Sequence, residues 1–154
     1  MKTKVHGLLA VNEYYSSYWA DYCIAIYDHL DLESYNVGID VYFIDESHGL
    51  RGSTDFIDSE VMIEIAMIDT YTGIGYDFHD LSKTIAHEFI HAKQYASGRL
   101  YHEGVIQQRD CIASSWLWEG KQYVNTPYLE RPWETEASNT DQLLMNNVLY
   151  TMRL

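Results

Sequence analysis

Cysteine is almost missing from this chain. Cys23 and Cys111 are the only two in 154 residues, and neither has a CxxC partner, which excludes a disulfide framework and a structural zinc site built on thiolates. Two buried free thiols, as in proteins of reducing compartments, are expected rather than one long-range bridge. Positive charge is also scarce: 10 Lys and Arg stand against 23 Asp and Glu, for a formal net charge of -13. With the cations scattered, binding to nucleic acid through its phosphates is excluded as a function. Long apolar runs are lacking too. Leu8-Leu9-Ala10-Val11 is too short for a signal h-region, and no run approaches the ~18 residues of a membrane span. The expectation is a cytoplasmic protein, in the host cytoplasm if the chain is viral, without membrane partners. No repeat, linker or low-complexity tract divides the sequence, so residues 1–154 are expected to form a single domain large enough to bury a core.

What is present is an ordinary share of apolar residues, 47%, and an unusual number of tyrosines, 14, a composition that excludes general disorder. Between Asn12 and about Leu32 the residues Tyr15, Trp19, Tyr22, Cys23, Ile26 and Leu30 recur at three- and four-residue intervals, the period of a helix. Asn36 and Gly38 break it. Val37 to Ile44 then reads as a strand, the polar stretch Asp45 to Ser59 as a loop, and the alternating Val61 to Ile68 as a second, half-buried strand. Asp77 with Asp80 marks a helix start, and Gly98 with Arg99 its stop; Leu81, Ile85, Phe89 and Ala92 give that helix an apolar face. Ser115 to Val124, with Gly120 inside it, is read as a hairpin or irregular β excursion. Pro132 suits the first turn of a last helix running through Leu144 and Val148.

The chemistry is concentrated in His87-Glu88-Phe89-Ile90-His91, an HExxH motif in the middle of the second helix. Histidines four apart project from one helix face and can occupy two corners of a zinc tetrahedron. The adjacent Glu88 is then placed to reach water activated by the metal, as general base and proton shuttle, rather than the metal itself. Composition alone would produce such a motif in about two per cent of chains like this one. A catalytic zinc needs a third protein ligand, and Arg131-Pro132-Trp133-Glu134-Thr135-Glu136-Ala137 offers Glu134 or Glu136. Two residues apart on a helix, these point about 200° from each other, so only one can face the metal.

These residues resemble the gluzincin-like metallopeptidases, in which HExxH on one helix is completed by a Glu on a later helix. The chain is similar to small phage-type and bacterial HExxH proteins with a PWExEA segment, over roughly residues 79–141. The resemblance implies a minimal zincin-like α+β domain: a small sheet with Val61 to Ile68 as the edge strand beside the cleft, the HExxH helix, and a C-terminal helix carrying the third ligand. It implies a zinc-dependent peptidase, a hydrolase acting on a peptide or protein substrate, with His87, His91 and Glu134 on Zn2+ and Glu88 catalytic. Glu134 is preferred because Ala137, one turn on, lets the two helices approach. Ser138 stands where ExxxD families carry an Asp, leaving Glu136 and Asp141 as candidates to orient a ligand. Glu136 remains an alternative ligand.

Plainer roles are weighed beside these. Glu134 and Glu136 both suit the N-terminal end of a helix dipole. His79 and His102 are expected in solvent or in local hydrogen bonds. Trp116, Trp118 and Trp133 are expected in the core, as are most tyrosines, although Tyr101, Tyr123 or Tyr128 can serve an oxyanion. Two other classes of function stay open: a non-catalytic zinc-bearing binding or regulatory protein on the same scaffold, and a structural, virion-type protein in which HEFIH is coincidence.

Overall fold

The computed structural model describes residues 3–7, 13–108 and 111–153. Leu8 to Val11 and Asn12, the expected start of the first helix, lie outside the described residues, as does the side chain of Cys111; Cys23 is buried and free. Among the described residues the architecture is mixed α+β, with two small sheets and three α-helices.

Strand β1 (Thr3–His6) is followed by helix α1 (Glu13–His29), which turns Trp19, Tyr22, Cys23 and Ile26 into the core at i, i+3, i+4 and i+7. A 3-10 turn at Leu32–Tyr35 closes on Asn36 in the left-handed conformation, φ 55°. Next come β2 (Gly38–Ile44), β3 (Gly52–Ile57) and β4 (Glu60–Ala66). The sheet order is β1-β2-β4-β3, parallel across its first three strands and antiparallel at β3. Ile39, Val41 and Phe43 of β2 stand opposite Val61, Ile63 and Ile65 of β4, all six buried. This period-2 face packs on the helices to form the main core.

The expected edge strand is corrected here. Residues 60–66 pair on both sides and are interior; the edge is β3, inside the stretch that reads as a loop. The physical reason is that β3 is only half buried and exposes alternate residues, so it needs no apolar alternation and carries none, as an edge strand can.

Helix α2 (Phe78–Ala96) begins where Asp77 Oδ1 accepts the Asp80 amide at 2.8 Å and ends at Gly98, φ 77°, whose amide returns to the Tyr95 carbonyl. The stretch Ser115 to Val124, expected as a hairpin or irregular β excursion, is a hairpin of β6 (Cys111–Trp118) and β7 (Lys121–Val124), and β5 (Leu100–Gln108) extends it to a three-stranded antiparallel meander. Glu119 and Gly120, both at positive φ, make the tight β6–β7 turn. After a 3-10 turn at Tyr128–Glu130, helix α3 (Pro132–Met152) starts with proline in its first turn. Tyr95, Leu100, Trp118 and Trp133 form a second apolar cluster, which seats the meander where α2 ends and α3 begins. No helix among the described residues is long and apolar enough to cross a membrane.

Candidate metal centre

Both histidines of the motif lie on the face of α2 that meets α3, and Ala137, fully buried, keeps the contact close. Pro132 starts α3 so that Glu134 falls in its first turn and turns back toward α2. The result is a triangle. His87 Nε2 and His91 Nε2 are 3.2 Å apart, and Glu134 Oε2 lies 3.2 Å from the first and 3.1 Å from the second. The edge of a zinc tetrahedron with 2.0–2.1 Å bonds is about 3.3 Å, so the three donors match one face of it. The other ring nitrogens are engaged, His87 Nδ1 with Asp141 Oδ2 at 3.1 Å and His91 Nδ1 with Gln94 Oε1 at 2.7 Å. Protons on Nδ1 suit those oxygens and leave both Nε2 lone pairs facing the Glu134 carboxylate. Three acceptors this close together under cover require positive charge between them, and two imidazoles with one carboxylate are a fitting donor set for zinc.

The electrostatics carry the same demand. Burial alone would lower the pKa of His87, but hydrogen bonding to Glu134, the charge of Glu88 and the contact with Asp141 outweigh it and lift it to about 9. His91 is raised against its burial by its hydrogen bond to Glu134, the charges of Glu88 and Glu134, and its contact with Gln94. Burial would raise Glu134, yet the two histidines hold its carboxyl well below the usual carboxylate range. The raised histidines and the depressed carboxyl mark a place between these groups that favours positive charge.

Glu88 points away from this triangle toward β3. Thr54 Oγ1 donates to its Oε2 at 2.6 Å, and burial pushes its carboxyl up against the opposing pull of His91, Thr54 and His87. Gly52 lets β3 approach: a Cβ there would meet Glu88 Cγ at 2.9 Å and Thr84 Cγ2 at 3.0 Å. A cleft of about 500 Å³ opens between β3 and α2, floored by His87, Glu88 and Glu134 and walled further on by Tyr95, Trp116 and Tyr128. Tyr128 hydrogen bonds Glu134 and is the one tyrosine of the three candidates at the site; burial and that carboxylate raise its pKa. Tyr101 is exposed, and Tyr123 stands edge-on to Trp133.

The structure thus brings together His87, Glu88, His91, Glu134 and Asp141, and turns Glu136 away to Arg99 and Gln94. His79 sits with Asp77 and Asp80 on the surface, and His102 stacks on Trp116 at 4.1 Å. Trp118 and Trp133 are buried as expected, whereas Trp116 is half-buried and faces the cleft. Three contributors escape sequence reasoning. Gln94 carries a weak signal, three residues after His91 on the same helix face; Thr54 and Gly52 carry none, because their strand is not legible. Comparison with protein-family models, with curated proteins and with solved structures found no match to this chain.

Proposed function

We propose that this chain is a zinc-dependent peptidase on a zincin-like scaffold of the gluzincin kind. The observation that carries the reading is the convergence of His87 Nε2, His91 Nε2 and Glu134 Oε2 within 3.2 Å of one another, with a buried glutamate beside them at the bottom of a cleft. His87, His91 and Glu134 would hold the ion, with Asp141 and Gln94 orienting the rings. When bound, zinc supplies a Lewis acid that polarises a carbonyl and acidifies water. Glu88, made more basic by burial and held in place by the hydrogen bond from Thr54, takes the proton from the water that attacks the scissile carbonyl carbon. It then returns that proton to the amide nitrogen as the C–N bond breaks, so that a carboxylic acid and an amine leave. The outer side of β3 is open to the cleft, and an extended peptide can add to it by main-chain hydrogen bonds; the substrate is accordingly a peptide or an unfolded segment of a protein.

The test combines metal analysis with a peptide library incubated with and without a chelator. About one zinc per chain and chelator-sensitive cleavage are expected. Glu88→Gln should keep the zinc and lower turnover by at least ~100-fold, the scale of a general base. Cleavage by Glu88→Gln at the unmodified rate would remove it from the mechanism, and a protein that takes up no zinc would end the reading.

A further inference from the structure

Gln94 is 1% exposed and its side-chain amide is held at both ends. Nε2 donates to the Trp133 carbonyl at 3.1 Å and to Glu136 Oε1 at 3.1 Å, and Oε1 faces His91 Nδ1 at 2.7 Å. A carbonyl and a carboxylate only accept hydrogen bonds, so reversing the amide would set its oxygen against two acceptors and strand both. The orientation is therefore imposed from the side away from His91. An amide oxygen at Nδ1 calls for a proton there, which leaves Nε2 as the nitrogen with the free lone pair, the one that faces His87 and Glu134. Glu136 is itself gripped: Arg99 Nη1 donates to its Oε1 at 2.8 Å and Nη2 to its Oε2 at 2.6 Å. Arg99 is seated over the Trp118 ring at 4.5 Å and is anchored again by Glu119 Oε1 at 2.6 Å.

We propose that Arg99 and Glu136 are positioning residues for metal binding, fixing the amide of Gln94 so that it holds His91 with its Nε2 lone pair toward the ion. The proposal rests on the reading of His87, His91 and Glu134 as a zinc site. Glu136 then acts two hydrogen bonds from the metal, and the β6–β7 turn, through Glu119 and Arg99, is joined to the same chain of contacts. An isosteric amide at position 136 breaks the logic without changing shape. It can donate as well as accept, so it no longer demands the NH2 end of Gln94, and the lock on His91 loosens.

The experiment is a double-mutant cycle read by zinc affinity, measured by competition with a chromophoric chelator, with melting of the metal-free proteins recorded in parallel. Glu136→Gln should weaken zinc binding about 10-fold, the lower end of losses from residues behind a ligand. In a Gln94→Met background the same change should cost nothing further, because the group through which it acts is gone. Equal losses in both backgrounds, or no loss in either, would overturn the relay; zinc that fails to bind the unmodified chain would instead sink the metal reading beneath it. Should Gln94→Met fail to fold, Arg99→Met takes its place, since Arg99 reaches Gln94 only through Glu136. It should weaken zinc binding in the unmodified chain and add nothing to the loss in Glu136→Gln. Losses that add in the double variant count against the proposal.

Discussion

His87 lies among Glu134, Glu88 and Asp141, and the proton it keeps without metal has a measurable consequence. A histidine whose folded pKa is about 9, against an ordinary 6.5, stabilises the fold fully below about pH 6.5 and loses that contribution as pH rises through about 9. Glu134 works in the opposite sense. Its carboxyl is depressed by the histidines, so its contribution is present above its ordinary 4.5 and disappears as pH falls. The metal-free protein should therefore melt highest between roughly pH 4.5 and 6.5 and lose stability toward pH 9. With zinc replacing the protons, the alkaline decline should vanish. Thermal melts across pH with and without chelator check this; parallel curves for the two forms would show that protons and zinc do not compete for one place.

At the scale of elements, β3 and α2 are fitted to each other at Glu88. Thr54 gives the carboxylate a hydrogen bond and Gly52 gives it room. Thr54→Val keeps the shape of the strand and removes the hydroxyl donor. Turnover is expected to fall about 10-fold, less than the ~100-fold or more of losing the base itself, while zinc affinity holds, since neither histidine is touched. Gly52→Ala places a methyl group 2.9 Å from Glu88 Cγ, so the carboxylate must move. That displacement should cost about 100-fold in turnover, the scale of a 1 Å misplacement, again with zinc retained. Loss of zinc in either variant would mean that β3 supports the metal and not the base. The same strand explains what the sequence withholds. GSTDFI shows no apolar alternation because an edge strand half open to a cleft buries no complete face, whereas VMIEIA, paired on both sides, alternates plainly.

Across the whole molecule, α2 and α3 meet at the site from positions more than forty residues apart, with the meander between them in sequence. A shared zinc would tie these two helices together, and binding of an ion present at a thousand times its dissociation constant stabilises by about 4 kcal/mol. Chelation should accordingly lower the melting temperature and raise amide exchange first in the N-terminal turns of α3 and the C-terminal half of α2. The strands β2 and β4, buried in the main core, should keep their protection. Hydrogen exchange with and without chelator reads this out, and uniform loss throughout the chain would show that the metal is not a local tie.

HEFIH is legible in the sequence because the two proposed ligands and the proposed base share one helix, where spacing alone sets direction. The helices, the strands β2 and β4, and Glu134 as the preferred partner are legible for a like reason: period, caps and a small residue one turn on are local properties. Tertiary structure decided which carboxylate meets the histidines, turning Glu134 inward and giving Glu136 to Arg99. It also made β3 the edge, placed Thr54 under Glu88, and set Asp141 and Gln94 behind the two rings. Those contacts join residues 3 to 54 positions apart, most of them far outside one element. They depend on how helices and sheet pack, and a hydrogen bond across a packed interface leaves no periodicity in the chain that forms it.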